Sequence, residues 1–435
     1  MLSYITVLSN WLKGYDRYQN LYSKAHIAQS TYPHEFYLLK DEELHIGLEK
    51  AESLAERTGV EGERIIRILS GVKDSQVTPN LRNGKGWVYG DHKIPVKGVE
   101  LYVDGEWERM TVEDITALAF KLQGQDFKSY QELRPLTFSF LPIAMACQAS
   151  CLFCFSGSSI SSERKKRIKD FTHLSQWCEK AQEAGAERFV LTGGGEPTIL
   201  PFPEIIECLE TASQYFKKNV LITNGIFLSK CEEDEIETRL KALKKAGLSI
   251  LSFSYHHKDP EGLKKIMGVD TNIEKVLKVW SRLSKDEVPT VRLICVLQQG
   301  GVGDEKSINE YLDFAASYGV TQVCFKELYV SSTTESIYSG GRENLYSKNH
   351  QVSLSVLIDM MKKNNAEQVG ELAWGSPIYA VERDGHTISV AAYTEPSVGW
   401  ERVNGIARSW NYMADEKCFA SLEDEDSEIL LEEGV

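Results

Sequence analysis

Between Leu136 and Leu328 the chain alternates short apolar runs with amphipathic stretches. The runs are Leu136–Ala144, Phe189–Thr192, Val220–Thr223, Ser249–Tyr255, Thr290–Leu297 and Val320–Leu328. They have the length and residue types of strands. Between them, apolar residues recur at helical spacing: Leu174, Trp177, Cys178 and Ala181, then Ile236, Leu240 and Leu243, then Ile273, Val276, Leu277 and Trp280. Strand, helix, strand in repetition constrains topology strongly, because such crossovers are right-handed and build a parallel sheet. An α/β fold follows, with ligands expected at the carboxyl ends of its strands.

Three motifs stand at those ends. The first run leads into CQASCLFC, which sets Cys147, Cys151 and Cys154 at CxxxCxxC spacing. We read the three thiolates as ligands to three irons of a [4Fe–4S] cluster, the fourth iron staying open for want of a fourth cysteine. A structural zinc site is the alternative, but it wants four ligands, usually as two CxxC-type pairs. The chain offers no second pair. Thr192-Gly193-Gly194-Gly195-Glu196-Pro197 follows the second run and Thr223-Asn224-Gly225 the third.

Together these residues resemble the radical S-adenosylmethionine (SAM) family. The resemblance implies an open (β/α)6 barrel and an open iron that binds the amino and carboxylate groups of SAM. It also implies reductive cleavage of SAM to a 5′-deoxyadenosyl radical, which abstracts hydrogen from substrate, with a flavodoxin or ferredoxin as electron donor. Phe153 then lies near the adenine. Gly194 and Gly195 let backbone approach the ligand, Glu196 accepts from the methionine ammonium, and Thr223 and Asn224 complete the cofactor site.

Residues 249–255, 291–304 and 320–330 are similar, more narrowly, to the radical GTP cyclases of molybdenum-cofactor biosynthesis. By that likeness Ser252 touches SAM and Tyr329 contacts adenine. Arg292 falls where those enzymes hold a substrate phosphate with lysine; an arginine there can bind phosphate or carboxylate bidentately. Two departures stand out. Leu191 replaces an arginine, and Asn404, Ala407 and Ser421 stand where the cyclases' second cluster has cysteines, leaving only Cys418 nearby. One cluster is therefore expected, with Trp400, Asn404 and Arg408 facing substrate. His256 and His257 end the fourth run; they can donate to substrate or move a proton, or be ordinary strand-end residues. Lys326 and Glu327 should point to opposite faces.

Length fits two or three domains at 435 residues. We expect an N-terminal α+β accessory module over 1–132, the barrel over 133–340 and a C-terminal cap over 341–435 with an acidic, frayed tail. In the module, helices are expected over Asp41–Arg57, Gly62–Val72 and Thr111–Leu122, and a hairpin at Asp104-Gly105. Such a module is either a brace on the barrel or a peptide-binding element. The net charge of −14 argues against a nucleic-acid partner. No apolar run is long enough to span a membrane, and nine cysteines without framework spacing point to a reducing cytoplasm. The substrate is expected to be small and polar, with a nucleotide among the candidates; the alternative is a peptide held through the module.

Overall fold

The computed structural model describes residues 128–164, 166–168, 170–330, 341–396 and 398–431, and the backbone of eight strands between residues 35 and 110. The chain divides into two compact units. One takes residues 1–129, 331–340 and 398–405; the other takes 130–330, 341–397 and 406–435. The stretch expected as a separate cap therefore belongs with the barrel, apart from 398–405.

In the first unit, β1 (Glu35–Leu38), β2 (Leu44–Ile46), β3 (Ile66–Ser70), β7 (Val96–Val103) and β8 (Glu106–Met110) form an antiparallel sheet in the order β2-β1-β3-β7-β8. A second sheet holds β4 (Thr78–Arg82), β5 (Gly86–Tyr89) and β6 (His92–Ile94). β7 and β8 pair as the expected hairpin arms, with Val103 opposite Glu106. The helix expected over 62–72 is replaced by β3 over Ile66–Ser70, and of the range 41–57 only β2 is described, the rest of that expected helix lying outside the described residues. The run Ile65-Ile66-Arg67-Ile68-Leu69 fits either period, and its branched side chains suit a pleated surface better than a helix. The helix expected over 111–122 lies outside the described residues. The unit also draws in the helix Val398–Asn404, where Lys128 N–H donates to Arg402 O at 3.1 Å and Arg402 Nε to Lys128 O at 2.8 Å.

The second unit is an α/β partial barrel. After the short β9 (Arg134–Pro135) come β10 (Thr137–Leu141), β11 (Arg188–Leu191), β12 (Asn219–Thr223), β13 (Leu248–Ser254), β14 (Thr290–Leu297) and β15 (Gln322–Glu327), paired in sequence order and all parallel. Each coincides with an expected strand to within a few residues. Beyond β15 lies a hairpin, β17 (Pro377–Arg383) and β18 (His386–Tyr393), with β16 (Glu367–Glu371) outside it. Asp384 and Gly385, both at positive φ, make its turn. Beyond β10 lies β20 (Trp410–Met413), reached through β19 (Ile406–Ala407), which pairs with β9. Since β18 is parallel to β15 and β20 to β10, eight parallel strands stand side by side.

Alternate strand residues face opposite ways. Phe189, Leu191, Leu221, Leu251, Phe253, Leu293, Cys295 and Phe325 are fully buried. They share their side of the sheet with the helices α1 (Thr172–Glu183), α2 (Phe202–Ser213), α3 (Ile226–Ser229), α4 (Glu233–Lys245), α5 (Pro260–Met267), α6 (Ile273–Arg282) and α7 (Glu305–Ser317). The three expected helical faces, on α1, α4 and α6, are the buried ones. Ser252, Arg292, Cys324 and Lys326 have the other parity and line the concave face.

The acidic end does not fray over its described part. β21 (Cys418–Phe419) and β22 (Glu428–Ile429) extend the sheet past β20, and Cys418, Phe419 and Ile429 are buried. Arg164 pairs with Asp415 and stacks 4.8 Å over the Phe419 ring. Composition pointed to a solvated tail; a minority of apolar residues at strand spacing decided otherwise.

Candidate functional site

The three motifs meet at the carboxyl ends of β10, β11 and β12. The cysteine loop is tied down at both flanks. Ser150 N–H donates to Met267 O at 2.7 Å, at the end of α5, and Gly195 N–H and Glu196 N–H donate to Ile143 O at 2.9 Å and Ala146 O at 2.8 Å. Gly194 and Gly195 are required by that closeness: a Cβ at Gly194 would collide with Ala144 O, and one at Gly195 with Ala146 O.

Glu196 is buried and braces the motifs against one another. Its Oε1 accepts from Thr198 N at 3.0 Å, Thr198 Oγ1 at 2.5 Å and Thr223 Oγ1 at 2.7 Å. Its Oε2 accepts from Asn224 N at 2.8 Å. Burial pushes its pKa up, against the pull of those bonds. Most of its acceptor capacity is thus used within the chain, and Oε2 is the oxygen with capacity left for a ligand ammonium. Asn224 passes the connection on. Its Oδ1 accepts from Ile226 N at 3.0 Å, and its Nδ2 donates to Gln148 Oε1 at 3.2 Å and toward Cys147 Sγ at 3.8 Å.

Cys147 is exposed, and Cys151 and Cys154 are partly buried. Burial, then the neighbouring Cys154 and Cys147 thiols, pushes the Cys151 thiol well above its ordinary range. Thiols that oppose each other's ionisation need a cationic partner to become ligands together. Among the described residues, no group of three or more His, Cys, Asp or Glu forms a site for a single metal ion. A cluster makes a different demand, since each iron takes its own thiolate. Three soft donors on one loop, beside glycines that leave backbone open to approach, fit a three-cysteine cluster better than a zinc site.

Of the remaining predicted residues, Phe153 packs edge-on against His256, ring centres 5.0 Å apart. His256 is buried, and its Nδ1 accepts the Val296 N–H at 3.2 Å. Burial and then the charge of Lys326 push its pKa down to about 3. A neutral ring with one nitrogen committed to backbone is poorly suited to shuttling protons. His257 accepts from Asp259 N–H at 3.0 Å, within its own turn. Ser252 and Arg292 are neighbours in register, and Arg292 Nε donates to Ser252 Oγ at 2.8 Å. Tyr329 follows β15, packs edge-on to Phe155 at 5.3 Å and donates its hydroxyl to Glu423. Arg408 belongs to the barrel unit, whereas Trp400 and Asn404 belong to the other. Lys326 and Glu327 do diverge: Lys326 reaches Glu395, and Glu327 accepts from Leu354 N–H at 3.2 Å. Glu395 and Tyr393 were not anticipated; nothing local marks them, since the register of β18 against β15 brings them to Lys326.

Residues 141–307 match the radical SAM superfamily. This part of the chain is a radical SAM domain. Domains of that family use a [4Fe–4S] cluster and SAM. The chain is also similar to the GTP 3′,8-cyclase of Aquifex aeolicus, 28% identical over 53% of this chain and 65% of that one. It is similar to the probable GTP 3′,8-cyclase of Methanosarcina mazei, 28% identical over 41% of this chain and 50% of that one. The radical SAM domain and its flanks thus span between half and two thirds of these relatives. Among solved structures, methylornithine synthase is 16% identical over 53% of this chain and 64% of its own, with a TM-score of 0.34. No described helix is long and apolar enough to cross a membrane.

Proposed function

We propose that Cys147, Cys151 and Cys154 hold a single [4Fe–4S] cluster with an open iron, and that the chain is an enzyme acting by hydrogen abstraction on a small polar substrate, nucleotides included. When bound there, the cluster and SAM supply a 5′-deoxyadenosyl radical. This chain's own residues bind and orient. Glu196 and Asn224 fix the cysteine loop, Gly194 and Gly195 admit a ligand against backbone, and Ser252 and Arg292 offer donors on the concave face. The observation that carries the reading is the unbroken path from Glu196 through Asn224 to Cys147, which links three sequence-distant motifs.

Anaerobically reconstituted protein should hold about four irons per chain and, with a strong reductant, turn SAM into 5′-deoxyadenosine and methionine. Alanine at all three cysteines should remove both properties. Normal iron content in that variant, or methylthioadenosine or S-adenosylhomocysteine as the only product, would refute the reading.

A peptide substrate is the second reading. Its support is the five-stranded antiparallel sheet of the first unit, whose order ends on β2 and β8, because peptides add to sheets at such edges. Loss of substrate turnover, with SAM cleavage kept, on replacing Lys or Arg for alternate β8 residues would favour it.

A further inference from the structure

Two donors from other residues point at the Cys147 sulfur. Ala149 N–H reaches Sγ at 3.3 Å, and Asn224 Nδ2 reaches it at 3.8 Å. The first is local to the cysteine loop. The second comes from the end of β12, 77 positions along the chain.

Asn224 has little freedom to turn away. It is only 4% exposed. Its own N–H donates to Glu196 Oε2 at 2.8 Å, and its Oδ1 accepts from Ile226 N–H at 3.0 Å. The second bond settles which branch of the amide is which, because only the oxygen accepts from a backbone N–H. Nδ2 is therefore the branch that faces the cysteine loop. It carries two hydrogens. Its acceptors there are also two: Gln148 Oε1 at 3.2 Å and Cys147 Sγ.

The Cys147 thiol stands here for an iron-bound thiolate. One electron from a strong one-electron reductant takes [4Fe–4S]²⁺ to [4Fe–4S]⁺, so the reduced form carries more negative charge. An N–H aimed at a ligand sulfur favours that form, and hydrogen bonds to the sulfurs are among the factors that set a cluster's potential. A donor already held in place by Glu196, Ile226 and Gln148 needs no reorientation when the electron arrives.

We propose that Asn224 is a positioning residue for reduction: its Nδ2–H, held on the Cys147 sulfur, raises the midpoint potential of the cluster and brings the reduced form within easier reach. The proposal rests on the reading above that Cys147, Cys151 and Cys154 hold a cluster. It gives Asn224 a part beyond bracing the loop. A residue that only braced it would change how much iron is held, and not how readily that iron is reduced.

The test is potentiometry of the reconstituted full-length protein without SAM. The reduced cluster is read by electron paramagnetic resonance, on preparations matched at about four irons per chain. Asn224→Ser keeps an oxygen that can accept from Ile226 N–H, adds no charge and is too short to reach Cys147. It should shift the reduction equilibrium toward the oxidised form by about tenfold, which for one electron is a midpoint about 59 mV lower. Asn224→Asp keeps the size and the acceptor but puts a negative charge where the donor was, so its midpoint should fall further. Gln148→Leu removes the competing acceptor and leaves the donor to the sulfur, so its midpoint should hold or rise. An unmoved midpoint in Asn224→Ser overturns the proposal, even if Asn224→Asp falls, because charge alone then acts. An equal fall in Gln148→Leu overturns it too, because disturbance of the loop then suffices. If Asn224→Ser takes up too little iron to measure, the other two variants decide: a fall confined to Asn224→Asp supports the proposal, and any other pattern overturns it. A wild-type preparation without a reducible cluster removes the reading above and this proposal with it, whereas a wild-type cluster indifferent to Asn224→Ser removes this proposal alone.

Discussion

His256 shows what a residue type conveys without its surroundings. Two adjacent histidines at a strand end suggest proton transfer, but the ring is buried and its Nδ1 takes a backbone N–H. Its pKa is about 3 in the folded chain, against about 6.5 when unfolded. Between those values the unfolded chain binds a proton that the folded chain refuses, so stability falls as pH drops through the window. His256→Gln, which keeps an acceptor for Val296 N–H, should flatten that fall, by on the order of 3 kcal/mol at pH 4. Urea unfolding against pH would measure it, and identical slopes would acquit the ring. Arg292 was easier to place, because strands four and five were expected as neighbours and their register brings Ser252 beside it. Glu395 was not legible. It lies 69 positions from Lys326, and only the folded hairpin joins them.

Among the elements, the barrel strands were readable because a strand buried on both faces is a nearly continuous apolar run. In the first unit the hairpin of β7 and β8 was readable from its turn signal, but the short apolar run at Ile66–Ser70 fits helical spacing as well as strand spacing. The glycine turn after β11 makes the strongest claim of any single element. Its N–H groups are bound to the cysteine loop, so the turn cannot retreat from an added methyl group. Gly195→Ala should therefore displace that loop, costing about 2–3 kcal/mol of stability and most of the reconstituted iron. Thermal melting and iron analysis would decide the matter; full iron retention would mean that the loop yields more readily than its hydrogen bonds imply.

At the scale of the molecule, the last described residues complete the sheet. Ending the chain after Glu416 would remove β21 and β22, uncover the edge of β20 and leave Arg164 without the Phe419 ring. Such a truncation should lower the melting temperature by several degrees or give insoluble protein, whereas a loose tail would leave melting unchanged. The many acidic residues of this stretch mask the strand spacing of its few buried apolar ones. The pairing of β20 with β10 has a further consequence, for how the protein is made. Ser409 bonds to Ser139 across 270 positions. A ribosome adding about 5–20 residues per second releases the first barrel strand roughly 15–50 s before its outer neighbour exists. For that interval one side of β10 offers unpaired backbone to any strand that passes, so the yield of native enzyme should depend on the pace of translation and on chaperones that occupy a nascent edge.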